Sequence, residues 1–334
     1  MSRPADVCRR ADTPWRELAN VRLISSLAVA VWLLGAGKPN VLAQDSRPTF
    51  RAGVARVSLN VVVKDDRGRP ITDLELKDFQ ILDQGQAVAV TDLQAGEESV
   101  SIAVLVDTSG SMRMGERLAF AKRAATLLLK HFRAGDEAGL FTFDRVLHEV
   151  VPFSTDTTLL RDGLGRIDPF GSTSLNDAVA AAARTLAERP SSRRAVVAIT
   201  DGLDNSSRLT AAAASGVATS IDVPVYVMAV VDSGQPLTTR DVAVEAVEGG
   251  GVARLDSLTA PTGGVSFGAE TTAAAYFAGR QILNDLRAGY VLTFTPEGAP
   301  GWHQLIVRVA RKDVRVRTRA GFWMGAPTSV RADW

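Results

Sequence analysis

Two acidic residues and three hydroxyl residues in this 334-residue chain stand where they could share one hard cation. Asp107, Ser109 and Ser111 belong to the segment Val104-Leu105-Val106-Asp107-Thr108-Ser109-Gly110-Ser111-Met112. An apolar run ends there at a carboxylate and two hydroxyls in alternate positions, and Gly110 permits a tight turn. Thr173 lies in Gly171-Ser172-Thr173-Ser174-Leu175-Asn176-Asp177, just ahead of a helical pattern. Asp201 follows a second apolar run, Ala195–Thr200, and precedes Gly202. Such oxygen ligands suit a hard cation, and few protein ligands with positions left for water suit Mg²⁺ best, with Mn²⁺ and Ca²⁺ left open. Alone, Asp107-Thr108-Ser109-Gly110 also reads as a capped turn before a helix. The other two segments turn the reading towards a metal.

These residues need a scaffold that brings three distant segments together. Apolar strand runs at Ile102–Val106, Ala138–Phe143, Ala195–Thr200, Val223–Val230 and Val265–Phe267 alternate with helical patterns. Leu118, Ala121, Ala125, Leu128 and Phe132 recur at helical spacing, as do Leu175, Ala178, Val179, Ala182 and Leu186, and a further helix is expected over Thr272–Arg287. Alternation of this kind predicts an α/β fold with a mostly parallel sheet and helices on both faces. In such sheets binding groups collect beyond the carboxyl ends of the strands, near the point where strand order reverses.

The flanks carry strands instead. Before the α/β part, residues 50–97 hold a partly alternating run through Val57, Leu59, Val61 and Val63, a turn at Asp65–Pro70, and a candidate hairpin from Phe79 to Val90. After it, residues 288–323 hold runs at Tyr290–Thr295, Gln304–Val309 and Val314–Thr318. Each flank is too short to bury a good core alone. The two are therefore expected to pair into one smaller β-sandwich into which the α/β domain, 98–287, is inserted; two separate appendages are the other reading.

Other polar residues read as structural. Ser174 with Asp177 has the form of a capping box, which assigns Asp177 to the helix rather than to a metal. Asp204 is expected in a loop turn, and His131 and His148 at the surface or in packing. Trp302, Trp323 and Trp334 are read as packing or tail residues.

Composition removes several classes. With 38 basic against 37 acidic residues the chain lacks the concentrated positive charge of a nucleic-acid binder. One cysteine and three scattered histidines leave no material for a disulfide framework or a cysteine-rich metal site. The first residues form the pattern of a secretory leader: arginines up to Arg22, an uncharged run from Leu23 to Gly37, and Val41-Leu42-Ala43 before Gln44. Cleavage after Ala43 would make 1–43 a signal peptide, remove Cys8 and leave two more acidic than basic residues. An uncleaved N-terminal anchor is the alternative, and would be the chain's one link to a membrane. Either way the expected location is outside the cytoplasmic membrane: periplasmic, envelope-associated or secreted.

Asp-x-Ser-x-Ser, Gly-x-Thr and Thr-Asp-Gly, in this order at strand ends, resemble the metal-ion-dependent adhesion site (MIDAS) of von Willebrand factor A (VWA) domains. The resemblance covers about Ser99–Arg287 and implies a Rossmann-like fold. The flanks resemble an exported bacterial VWFA-related subfamily of acidobacterial type. They carry Arg67-Gly68-Arg69-Pro70-Ile71-Thr72-Asp73-Leu74 with Asp78-Phe79, then Tyr290-Val291-Leu292 and Arg319-Ala320-Gly321-Phe322-Trp323. The likeness implies that Ser109 and Ser111 bind the metal through their hydroxyls and that Thr173 binds directly in the ligand-competent state. Asp107 and Asp201 would bind directly or through water. The position left over would take an Asp or Glu carboxylate from a partner protein. The implied function is an exported, metal-dependent binding and adhesion module. The alternative is a structural envelope protein whose metal only stabilises the fold. An enzyme is not expected. An aspartate-nucleophile phosphatase needs a second carboxylate two residues on, where this chain has Ser109, and no phosphate-cradling loop or Gly-x-Ser-x-Gly elbow is found.

Overall fold

Alternation at Leu59, Val61 and Val63 puts three apolar side chains on one face of a strand, and none is more than 1% exposed. That strand, β1 (Val57–Asp65), opens the computed structural model, which describes residues 56–324 apart from 97, 170, 203, 231–250 and the side chains of 251–254. The leader, the first residues of the 50–97 segment and Trp334 lie outside the described residues. The turn after β1 is held by the Asp65 carboxylate, which accepts from the backbone N–H groups of Arg67 and Arg69. Then come β2 (Phe79–Asp83), β3 (Gln86–Val88) and β4 (Val90–Gln94). Gln84 and Gly85, both at positive φ (50° and 82°), make the two-residue turn between β2 and β3, a geometry matched to strand twist.

The α/β part follows as β5 (Ser101–Asp107), α1 (Arg117–Leu129), β6 (Glu137–Phe143), β7 (Leu147–Ser154), α2 (Thr157–Gly165) and α3 (Leu175–Ala187). It continues through β8 (Arg194–Thr200), α4 (Ala211–Ser220), β9 (Val225–Ala229), α5 (Gly251–Thr259), β10 (Ser266–Gly268) and α6 (Thr272–Ala288). The chain returns to strands with β11 (Tyr290–Phe294), β12 (Gly301–Val309), β13 (Val314–Thr318) and β14 (Gly321–Met324).

The six-stranded sheet runs β10-β9-β8-β5-β6-β7. Every pairing is parallel except β6 with β7. Successive side chains of β5 serve opposite cores: Ile102, Val104 and Val106 pack with α1, α2 and α6, while Ala103 and Leu105 pack with α3, α4 and α5. β5 therefore reads as an unbroken apolar run because both of its faces are covered. After β5 the chain moves to β6 on one side, and after β8 it moves to β9 on the other. The carboxyl ends of β5 and β8 thus flank the crevice where strand order reverses.

The remaining strands form two four-stranded sheets, β13-β1-β11-β4 and β14-β12-β2-β3. Each interleaves strands from before and after the α/β part. β1 lies between β11 and β13, and β2 pairs with β12. Their inner faces share one core, including Leu59, Val61, Ile81, Leu292, Phe294 and Phe322. Tyr290 anchors the segment that follows the first turn. Its hydroxyl donates to the Ile71 carbonyl (2.9 Å) and accepts from Leu74 N–H (3.0 Å), while Phe79 meets its ring edge-on.

Arg193, 1% exposed, binds both connections between the two parts. Its guanidinium donates to the carbonyls of Gly96, Leu286 and Gly289 at 2.7–2.8 Å. Asp285, equally buried, faces Lys64 (2.6 Å) and Arg317 (2.5 Å).

Some elements depart from expectation. β7 runs antiparallel at the sheet edge, where Pro152 costs no ladder hydrogen bond, and bulges opposite Leu140 blur its alternation. α2, with two glycines in nine residues, has weak helical propensity, and Asp156 starts it by accepting from Thr158 N–H (2.8 Å).

Candidate metal centre

Because β5 is buried along its whole length, its terminal residue Asp107 carries a carboxylate with 0% exposure. Two donors replace the lost water. Ser109 N–H reaches Oδ1 (2.8 Å) and the Thr200 hydroxyl reaches Oδ2 (2.6 Å). Burial is the largest influence on this carboxyl and pushes it up to about 6; the two donors oppose that shift, and the negative charge of Asp201 adds to it. Ser109, 1% exposed, turns the chain into a short 3₁₀ segment, Gly110–Arg113, and its hydroxyl lies 2.9 Å from that of Ser111.

The other two segments lock onto this loop. Gly110 N–H donates to the Gly171 carbonyl (2.8 Å), which ties the Asp107 loop to the Thr173 loop. Gly171 has φ +96°, and a Cβ there would lie 2.6 Å from the Asp144 Cβ, so the tight passage needs glycine. Thr173, 1% exposed, is clasped by the loop after β8. Its N–H donates to Asn205 Oδ1 (3.1 Å), and its carbonyl accepts from the N–H groups of Asn205 and Ser206. Asp201 follows β8, and its carboxylate receives Arg117 Nη1 (3.2 Å) from the start of α1. All five residues therefore stand on three interlocked loops at the β5/β8 crevice.

The residues 102–203, which include all five, match the family model of the von Willebrand factor type A domain. The chain carries a von Willebrand factor type A domain. No match is found among curated proteins. Among solved structures, an aerotolerance-related membrane protein from Bacteroides fragilis is 23% identical, with 56% of this chain and 99% of that one covered, at a TM-score of 0.47. A von Willebrand factor type A protein from Catenulispora acidiphila is 12% identical, with 80% and 73% covered, at a TM-score of 0.46. Proximal thread matrix protein 1 from the mussel byssus, with a zinc-occupied MIDAS motif, is 12% identical, with 62% and 50% covered, at a TM-score of 0.46.

The donors of this VWA domain fit a divalent cation. Burial and the negative charge of Asp201 disfavour the charged form of the Asp107 carboxylate, and a divalent ion would reverse that penalty. The hydroxyls are needed as well: among the described residues, no group of three or more His, Cys, Asp or Glu gathers where it could hold a metal.

Several supporting residues were not legible in the sequence. Thr200 orients Asp107 from 93 positions away, and Arg117 reaches Asp201 across 84. The expected capping box is absent. Ser174 makes no side-chain cap, and the Asp177 carboxylate instead accepts from Arg208 and Leu209 N–H at 3.0 and 2.9 Å. The helix start is capped from outside by Asp204, which accepts from Asn176 N–H (3.0 Å) while also closing the turn to Ser206 and Ser207. His148 bonds Asp144, and His131 lies against Tyr276.

Proposed function

We propose that this protein is an exported binding module. Asp107, Ser109, Ser111, Thr173 and Asp201 would hold a divalent cation, Mg²⁺ in preference to Mn²⁺ or Ca²⁺, and a protein partner would dock an Asp or Glu side chain there. The observation that carries this reading is the fully buried Asp107 carboxylate, its pKa raised by burial and by Asp201, at the start of the loop on which the Ser109 and Ser111 hydroxyls lie 2.9 Å apart. When bound, such an ion supplies an open coordination position for a hard anionic oxygen. The chain's own residues do the rest: Thr200 and Ser109 N–H orient Asp107, Arg117 restrains Asp201, and Asn205 with Ser206 fixes Thr173. Two carboxylates roughly neutralise the ion, so one further acidic ligand is still attracted.

The reading includes no catalysis, since Ser109 stands where an aspartate-nucleophile enzyme needs its general acid. Export rests on the leader pattern at 1–43. Among the described residues, no helix is long and apolar enough to cross a membrane. The flanks support the acidobacterial-type subfamily through the Arg67–Phe79 segment gathered on Tyr290.

A pull-down from an envelope extract tests docking, with the chain in Mg²⁺, in EDTA, and as folded Asp107→Ala. A protein retained by the unsubstituted chain in Mg²⁺ and lost in the other two arms is the expected result. The second reading, a structural metal with contacts made by the sandwich, is favoured by Trp302 and Trp323. They pair across β12 and β14 with ring centroids 6.1 Å apart, yet stay 38% and 52% exposed. Under that reading chelation lowers the melting temperature while the same proteins are retained in all three arms.

A further inference from the structure

A groove of about 800 Å³ opens beside the metal centre, between α3, the turn leading into β7 and the loop from Ser206 to Leu209. It is within the size of common ligand sites. Its walls are the loops that position Thr173. Arg145 Nε approaches the Ser172 hydroxyl (3.4 Å), Ser206 N–H donates to the Thr173 carbonyl (3.0 Å), and Asp177 holds the backbone of Arg208 and Leu209.

Charge distinguishes this groove from the rest of a nearly neutral chain. Arg145, Arg184 and Arg208 line it and are exposed. Arg184 and Arg208 make no ion pair among the described residues. Among the described residues Asp177 is the single acid in the lining, and two backbone N–H groups already occupy its carboxylate. Val146, 58% exposed, Leu147 and Leu209 add apolar wall between the arginines. Cationic side chains separated by apolar surface suit a peptide that carries both acids and carbon, better than a bare phosphate chain.

We infer that the groove receives an acidic stretch of the partner's chain, next to the residue that reaches the metal. This rests on the docking reading above and specifies its partner. From Leu175, two residues past Thr173, to Arg184 the helix rises about 14 Å. An extended peptide covers that distance in about four residues. The partner's motif is therefore one Asp or Glu at the metal with further acids up to about four positions away.

Two fluorescein-labelled ten-residue peptides test this. Both have a Gly/Ser background and a central Asp, and one adds Glu at the third and fourth positions after it. Polarisation titrations with the full chain in Mg²⁺ at low salt should show the acid-rich peptide binding about five- to tenfold tighter, an advantage that exposed ion pairs can supply and salt removes. Arg184→Gln/Arg208→Gln should erase the difference while calorimetric Mg²⁺ binding stays unchanged, which also shows that the variant is folded. Equal affinities in the unsubstituted chain, a preference that survives the double substitution, or no binding of either peptide would overturn the inference. So would displacement of the acid-rich peptide by an equimolar oligodeoxythymidine. If the preference is lost in the double variant but neither EDTA nor Asp107→Ala weakens either peptide, the groove stands and the metal-docking reading falls.

Discussion

Asp107 lost all of its water on folding, and the two donors that replaced it come from opposite ends of the local structure. Ser109 N–H is set by the turn itself, two residues on. The Thr200 hydroxyl arrives from a neighbouring strand and also accepts from Gly202 N–H (3.1 Å), so one side chain orients the carboxylate and pins the loop that carries Asp201. Removing such a partner leaves a buried acceptor short of a bond. Thr200→Val keeps the shape and deletes the hydroxyl. Mg²⁺ affinity measured by calorimetry should fall roughly 10- to 100-fold, as for other residues that orient a metal ligand. An unchanged affinity would mean that Asp107 needs no orientation from Thr200.

Among the elements, α1 and α6 pack closely on the face that covers one side of the sheet. Gly279 lies where an added Cβ would sit 3.0 Å from Leu128 Cα, a backbone atom that cannot rotate away. The missing side chain lets the two helices approach closely enough for Ala275, Ala278 and Ile282 to join the core with Ala121, Ala125 and Leu128. Gly279→Leu should push the helices apart and cost about 1–3 kcal/mol, read as a lower urea midpoint at unchanged slope. A midpoint equal to that of the unsubstituted chain would show that the helices part without penalty. α6 then passes through Gly289 directly into β11, so disturbance of this packing reaches the sandwich through the chain itself.

At the scale of the whole molecule, neither chain end forms a sheet without the other, and stability of the sandwich is shared between segments more than 200 residues apart. His303 on β12 marks this pairing. Its Nδ1 lies 2.8 Å from the Asp83 carboxylate of β2, and its Nε2 lies 2.9 Å from the Ala299 carbonyl. Both ring nitrogens face acceptors, which favours the imidazolium. The Ala299 carbonyl and then the Asp83 carboxylate hold the His303 pKa above its ordinary value against the effect of burial. A histidine raised in the folded state stabilises most below about pH 6.5, and that contribution is lost as pH rises through the folded value. The melting temperature should therefore fall as pH rises above about 6.5, and His303→Gln should flatten that part of the profile. An identical slope in the variant would assign the pH dependence elsewhere.

Much of this architecture was legible in local pattern. Ile102–Val106, Ala195–Thr200 and the helical spacings around Leu118 and Leu175 appear as expected, because burial on one face or both imposes a period on neighbouring residues. The candidate ligands were legible for the same reason: Asp-x-Ser-x-Ser, Gly-x-Thr and Thr-Asp-Gly are each complete within a few residues. The direction of β7, the bonds of Thr200 and Arg117, the clasp of Asn205 on Thr173 and the use of Asp177 were not. Each depends on which elements meet in space, and a buried polar group takes whatever donor the packing brings to it. Local periodicity encodes which face of an element is buried, but only assembly of the elements brings a hydroxyl 93 residues away against a particular carboxylate oxygen.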